Sequence, residues 1–312
     1  MTKWTAQNIP DQAGRTAIVT GANGGLGYII AEELARNGAY VIMACRDESK
    51  GEQAAGRLRT KIPGAKVEVA RLDLADLSSV QAFAGSAVKE YEAIDLLVNN
   101  AGVMATPPRQ TADGYELQFG TNHLGHFALT GLLFSRLAAK AGSRIITLSS
   151  IAHRYGRINF KDLQHERSYS PNLVYGQSKL ANLLFALELH RRIQQAGLHM
   201  RSIAAHPGIA ATNLFQVGPQ MSGSRSQTLF YGWITRYLAQ SESMGALPAL
   251  FAATSPDAQS GRFYGPDQLG IKGFPTEASA SIAARNPDTA RRLWEVSEQL
   301  TNVSYPFNQR NL

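Results

Sequence analysis

The chain's 312 residues, 44% hydrophobic and 18% charged, suffice for a large buried core in one big domain or two small ones. Its net charge of +7 is carried by scattered Lys and Arg with no aromatic-interleaved basic run, which excludes a nucleic-acid partner and leaves an anionic small molecule. The single Cys45 excludes an internal disulfide, and no apolar run reaches the roughly 18 residues of a membrane span, the nearest, from Phe127 to Ala139, being interrupted by Ser135 and Arg136.

In chain order, Met1 to Gly14 is polar and contains Pro10, unlike a secretory signal, so a soluble cytoplasmic protein is expected. Thr16 to Thr20 reads as a buried strand, followed by a glycine-rich turn and a helix from about Leu26 to Asn37. Tyr40 to Ala44 is a second strand, and the polar helix after it runs to about Lys61, where Pro63-Gly64 closes it. Lys66 to Leu72, Ile94 to Val98, Arg144 to Leu148 and His199 to Ala205 are the third to sixth strands. Helical patterns lie between them over Ser78 to Tyr91, Asp113 to Lys140 and Pro171 to Gln195. Strands separated by helix-length segments predict parallel pairing, right-handed crossovers and a doubly wound α/β sheet with helices on both faces. Arg262-Phe263-Tyr264 predicts a seventh strand, and Pro287 to Thr301 a last amphipathic helix. No repeat, low-complexity tract or linker interrupts the pattern, so one domain is expected. Two stretches look like additions to it: the polar Ile151 to Val174, and Gln216 to Gln240 with Phe230, Tyr231, Trp233 and Tyr237.

Thr20-Gly21-Ala22-Asn23-Gly24-Gly25-Leu26-Gly27 joins the first strand to the first helix. Glycines there permit a tight turn and close backbone approach, and the helix N-terminus offers free N–H groups to a pyrophosphate. The residue at the end of the second strand selects the dinucleotide, an acidic one favouring NAD through the ribose hydroxyls. Here the stretch is Cys45-Arg46-Asp47. Arg46 is placed to fork a 2′-phosphate, and Asp47 to cap the next helix, so NADP(H) is expected over NAD(H). Farther on, Tyr175 and Lys179 share one helix face at i and i+4. An adjacent cation favours a phenolate and lowers its pKa from about 10.

The motifs Thr20-Gly21 to Gly27, Asp73-Leu74, Asn99-Asn100-Ala101-Gly102, Asn122, Ser150, Tyr175 to Lys179 and Pro207-Gly208 to Thr212 follow one another along the first two-thirds of the chain. In this order they resemble the short-chain dehydrogenase/reductase family. Ala44 to Asp47, Ser149-Ser150-Ile151-Ala152-His153 and Tyr175 to Asn182 are similar to its retinol-dehydrogenase and WW-domain-oxidoreductase branch. The resemblance implies a core over 15–212, a substrate lid over 213–260 and a C-terminal strand and helix over 261–312. It implies Tyr175 as general acid or base, Lys179 as the group that lowers its pKa and bonds the nicotinamide ribose, Ser150 as the holder of the substrate oxygen, and Asn122 as the holder of a water relaying protons to Lys179. Ser149, its neighbour along a strand, then faces the other way. For the cofactor it implies Gly21, Asn23, Gly25, Leu26 and Gly27 at the pyrophosphate, Arg46 at the 2′-phosphate, Asp73 and Leu74 at the adenine, Asn100, Ala101 and Gly102 at the ribose, Tyr175 and Lys179 beside the nicotinamide and its ribose, Pro207, Gly208 and the Ile209 backbone at the nicotinamide, and Thr212 at the pyrophosphate. Where copies assemble, it implies contact through the helices carrying Asn122 and Tyr175.

The lid aromatics predict an apolar wall, and hence a hydrophobic carbonyl or alcohol as substrate. His123 and His126 lack a companion ligand at metal spacing, so packing is expected of them and no metal site. His153 and His206 adjoin site residues, which puts them near substrate. The competing reading is an NADP(H)-binding regulator or scaffold with little turnover. The full set of Asn122, Ser150, Tyr175 and Lys179 argues against it, because a sensor needs no proton donor. A sugar-nucleotide epimerase would carry a G-x-x-G-x-x-G turn, which this is not.

Overall fold

The structure, a computed structural model, describes residues 3–210, 221 and 239–307. Its sheet is built from β1 (Thr16–Thr20), β2 (Tyr40–Cys45), β3 (Val67–Arg71), β4 (Leu96–Asn99), β5 (Arg144–Leu148), β6 (Arg201–Ala205), β7 (Phe263–Gln268) and β8 (Lys272–Glu277). The order across the sheet is β3-β2-β1-β4-β5-β6-β7-β8. All neighbours run parallel except β7 and β8. The strand order reverses beside β1, which pairs with β2 on one side and β4 on the other, and this opens a crevice at the carboxyl ends of both.

About seven strands were expected, and β8 is the eighth. Gly273 and Pro275 hid it, since they weaken a strand pattern yet are tolerated at a sheet edge. The helices α1 (Gly25–Arg36) and α2 (Glu48–Lys61) cover one face, with Ala31, Leu34, Ala54 and Leu58 buried against Val19, Val41 and Met43. Helix α3 (Leu77–Glu90) covers the other, with Val80 and Phe83 against Ile18, Ile42 and Leu97.

The helix expected from Asp113 to Lys140 is broken. A turn of α-helix, α4 (Leu117–Phe119), is capped by the Glu116 carboxylate, which accepts from the amides of Gln118 and Phe119. A π-helical turn, Gly120–Leu124, follows, and then α5 (Gly125–Leu132) and α6 (Phe134–Ala138). Gly125 packs directly on Leu74, where an added Cβ would lie 2.4 Å from the Leu74 carbonyl oxygen. Asn122 sits inside the π turn, a widened turn of the kind that re-aims functional groups.

Helix α7 (Pro171–Gln195) keeps its expected bounds, with Pro171 in its first turn. Inside the segment expected as a lid over 213–260, Glu242–Thr254 forms α8. Its Ala246, Ala249, Leu250 and Ala253 are buried in the same core as α1, so this part belongs to the core and not to a lid. Phe230, Tyr231, Trp233 and Tyr237 lie outside the described residues. Among those described, no helix is long and apolar enough to cross a membrane.

Helix α9 (Pro287–Thr301) and the segment from Val303 to Phe307 lie across α5 and α7. The Trp294 ring centroid is 5.0 Å from Phe127, 5.8 Å from Phe185 and 4.5 Å from Tyr305. The Tyr305 hydroxyl donates to the Phe127 carbonyl at 2.7 Å. The part of α5 and α7 around Phe127 and Phe185 is therefore covered by the chain's own C-terminal helix.

Candidate active site

The carboxyl ends of β4, β5 and β6 converge with the first turns of α1 and α7 on one cavity of about 250 Å³. Tyr175 and Lys179 stand in its wall one helical turn apart, both buried. Lys179 Nζ lies 5.7 Å from the centroid of the Tyr175 ring and donates to the Leu148 carbonyl at 3.2 Å. Burial pushes the ammonium down to about 8.

A lysine whose folded pKa lies below its unfolded value near 10.4 lowers stability wherever both states are charged, and the loss is recovered as pH rises through the folded pKa. Cys45, pushed up to about 11 by burial, acts in the opposite sense above about pH 9. The stability difference between Lys179→Met and the parent isolates the lysine. It is expected to favour the variant by about 3 kcal/mol at pH 7 and to shrink above pH 8. Chemical denaturation at several pH values measures this, and a difference that does not change with pH would rule it out.

The two serines after β5 divide as their alternation requires. Ser149 Oγ donates to the Lys179 carbonyl at 2.7 Å and braces α7. Ser150 caps the short 3₁₀ turn Ile151–Arg154, its Oγ accepting from the Ala152 amide at 3.2 Å, and lines the cavity beside Tyr175. Asn122 is fully buried. Its Oδ1 accepts from the Val103 amide at 2.8 Å, and its Nδ2 donates to the Val103 carbonyl at 2.9 Å and to Ser178 Oγ at 2.9 Å. Gly102 leaves the room: a Cβ there would stand 2.9 Å from Asn122 Oδ1 and 3.5 Å from Lys179 Nζ.

The glycine turn is tight, and its backbone can be approached closely. Gly21 and Gly25 have φ of +67° and +55°. At Gly27 a Cβ would meet the Gly21 carbonyl oxygen at 2.4 Å and Asn100 Nδ2 at 2.6 Å, so the helix can approach the turn only without one. Gly24 caps α1 without a side-chain bond, so its first N–H groups are open to an anion. Asn23 and Ala22 present their amides to the Cys45 thiol beneath the turn, and Leu26 lines the cavity. The Thr20 hydroxyl accepts from the amides of Asn100 and Ala101 at 2.9 and 3.0 Å, which ties this turn to the end of β4. Asn99 Nδ2 donates to Thr130 Oγ1 at 3.0 Å and braces the end of β4 against α5.

Arg46 is exposed at the end of β2 and pairs with none of the described residues. Asp47 caps α2 by accepting from the Lys50 amide at 3.0 Å. Asp73 accepts from the Ala75 amide at 3.0 Å and shapes the turn after β3, while Asp76 caps α3. Leu74 is buried against Gly125.

On the far side, Gly208 has φ of +66° and lies so close to the β7–β8 turn that a Cβ would stand 2.1 Å from the Ile271 carbonyl oxygen. The Ile209 amide donates to that same oxygen at 2.9 Å, and the Ile209 carbonyl accepts from the Gln240 amide at 2.8 Å. Gln240 Nε2 also donates to the Pro207 carbonyl at 2.8 Å. A carboxamide at the Ile209 backbone therefore competes with Ile271 and Gln240. Thr212 lies outside the described residues.

His153 and His206 do not line the cavity as expected; they hold it from behind. His153 Nδ1 donates to the Ser150 carbonyl at 2.7 Å, and its Nε2 accepts from the Ser281 amide at 3.2 Å. His206 Nδ1 accepts from the Gly208 amide at 3.2 Å. Their rings share Phe263, with centroids 5.3 and 4.9 Å away, and burial pushes His206 down to about 3. His123 reaches Ser297 on α9 at 2.8 Å, and His126 reaches Thr20 at 3.0 Å, both buried. Met104, Tyr155 and Gln240 entered no sequence motif. Only the fold reveals them.

The family model described as short chain dehydrogenase matches residues 15–222. Retinol dehydrogenase 14 of Mus musculus is 40% identical over 302 residues, covering 93% of this chain and 86% of its own. Retinol dehydrogenase 13 of Homo sapiens is 42% identical over 296 residues, covering 94% and 86%. A crystal structure of an uncharacterized protein from Mycobacterium Paratuberculosis is similar with a TM-score of 0.81 at 44% identity, over 98% of this chain and 100% of that one. The Pseudomonas aeruginosa RhlG/NADP active-site complex, at 22% identity and a TM-score of 0.63 over 81% and 94%, shares the fold.

Proposed function

The chain belongs to the short-chain dehydrogenase family and is an NAD(P)-dependent oxidoreductase of alcohols and carbonyls; from that premise we propose that it uses NADP(H), takes an apolar small molecule, and has Tyr175 as its general acid or base. The observation that carries this is the single cavity shared by Tyr175, Ser150 and the buried ammonium of Lys179. When bound, the nicotinamide supplies or accepts the hydride. Ser150 holds the substrate oxygen, and Tyr175 gives it a proton in reduction or takes one in oxidation. Lys179, charged at neutral pH and close to the Tyr175 ring, favours the phenolate, each unit of pKa being worth about 1.4 kcal/mol. Asn122 fixes the π turn beside Lys179, from which a water relays protons.

The cofactor is held by Gly21, Asn23, Gly25, Leu26 and Gly27, by Asp73 and Leu74, by Asn100, Ala101 and Gly102, and by Pro207, Gly208, Ile209 and Thr212. The tight glycine turn and the start of α1, where no side chain bonds the first amides, support this reading. NADP(H) is favoured over NAD(H) because the exposed Arg46 directly follows β2, while Asp47 caps α2 by accepting from the Lys50 amide. Arg46→Ala is expected to weaken NADPH binding at least about tenfold, the scale of one charged hydrogen bond, and to leave NADH unchanged. Fluorescence titration with both cofactors measures it, and equal losses would refute the phosphate role.

The cavity wall is mostly apolar, with Met104, Leu148, Ile151, Ala152 and Ala210 beside Tyr155. That supports an apolar alcohol or carbonyl, and the names of the retinol dehydrogenases point the same way. The decisive assay is NADPH oxidation with aldehydes and ketones of increasing apolar length, set beside sugars. Turnover confined to the polar set would sink the substrate assignment.

A further inference from the structure

His126 is a buried imidazole with no part in the proton transfer proposed above, and it stands where the site's two halves meet. It lies on α5 one turn beyond Asn122, with both ring nitrogens engaged. Nδ1 is 2.9 Å from the Asn122 carbonyl oxygen. A carbonyl only accepts, so Nδ1 carries the hydrogen. In the neutral ring Nε2 then has only a lone pair, and the Thr20 hydroxyl at 3.0 Å must donate to it. That leaves the Thr20 lone pairs for the Asn100 and Ala101 amides, the main-chain groups at the end of β4. The alternative acceptor for the Thr20 proton, the Val98 carbonyl, is farther off at 3.3 Å.

We infer that His126 is a positioning residue with two separate arms, one orienting Thr20 and through it the Asn100-Ala101 backbone, the other holding the Asn122 carbonyl inside the π turn. The ring is kept neutral by burial and, to a lesser degree, by the charge of Lys179, which together push it down to about 4 against the opposing Asn122 carbonyl. Neutrality matters to the first arm. A protonated Nε2 would turn donor against a hydroxyl whose lone pairs already serve two amides. The Thr20 arm stands on hydrogen bonding alone, whereas the Asn122 arm rests on the catalytic reading proposed above.

The arms can be separated by side-chain length. In His126→Asn the short amide places an N–H near the position of Nδ1, and in His126→Gln the longer one places a carbonyl oxygen near Nε2. His126→Leu removes both. The measurements are NADPH affinity by fluorescence, kcat at saturating cofactor, and deuterium uptake in peptides covering 99–102. His126→Leu is expected to lose about tenfold in each of affinity and kcat, the scale of a buried hydrogen bond left unmade. His126→Asn should recover most of the lost kcat but not the affinity or the exchange protection. His126→Gln should recover affinity and protection but not kcat.

Equal losses in both amide variants on every readout, tracking a fall in Tm, would show a structural filler and overturn the proposal, as would a His126→Leu protein with wild-type affinity and exchange. Should the parent protein reduce none of the carbonyls tried, the activity fails. The contrast between Asn and Gln in exchange and affinity still decides the Thr20 arm.

Discussion

Tyr175→Phe is expected to lower carbonyl reduction by about 10³-fold, within the range of roughly 10²–10⁴ that a positioned proton donor contributes. The substitution removes one oxygen and keeps the ring. That ring packs in a small apolar cluster with Met104, Ala105 and Ala152, so the fold and the cavity wall should persist. NADPH affinity should change little, because the ring and Lys179 remain in place. NADPH oxidation under single-turnover conditions separates the chemical step from release. A variant that turns over at the parent rate would remove Tyr175 from the mechanism and return the chain to the binding-only reading.

The second large effect concerns stability. Trp294→Ala is expected to cost about 3–5 kcal/mol, the range for deleting a large buried aromatic. Trp294 is 2% exposed and touches Phe127, Phe185, Tyr305 and Phe307, and the Arg192 guanidinium lies 4.5 Å over its ring. Its indole N–H is buried without a partner among the described residues, which offsets part of the loss. Trp294→Phe, which removes that N–H and keeps most of the ring, should therefore be much milder. Urea unfolding monitored by circular dichroism tests both. A loss below about 1 kcal/mol for the alanine variant would contradict the view that α9 is fastened by this residue.

The parts of the fold that the sequence revealed were those with local signals. β1 and β5 keep the bounds expected of them, Thr16–Thr20 and Arg144–Leu148, around their β-branched residues. Helices α7 and α9 each start with a proline in the first turn, and Asn286 caps α9. What stayed hidden depended on distant partners. Helix α8 is rich in alanine, contains Pro248 and is buried nearly all round, so it has no polar face to give a 3.6-residue rhythm. The π turn at Gly120–Leu124 arises where Gly125 meets Leu74, far back in the chain.

The same division holds at the site. Spacing alone offered a glycine turn between a strand and a helix and a helix face shared by Tyr175 and Lys179; the roles of these two, like those of Ser150 and Asn122, came only through the family pattern. The bonds from His126 to Thr20 and from Gln240 to Pro207 join residues from different elements, and no spacing rule joins them.

The cover that α9 lays over α7 also has a bearing on synthesis. Helix α7 and the strands before it emerge from a ribosome well ahead of α9, a delay of roughly 5–20 s at about 5–20 residues per second. Over that interval Phe127 and Phe185 have no Trp294 or Tyr305 to meet. The nascent chain thus displays an aromatic stripe that attracts chaperones and neighbouring copies alike. Yield in a host short of holdase capacity should be set by this window, and slower translation of the last segment should lower it further.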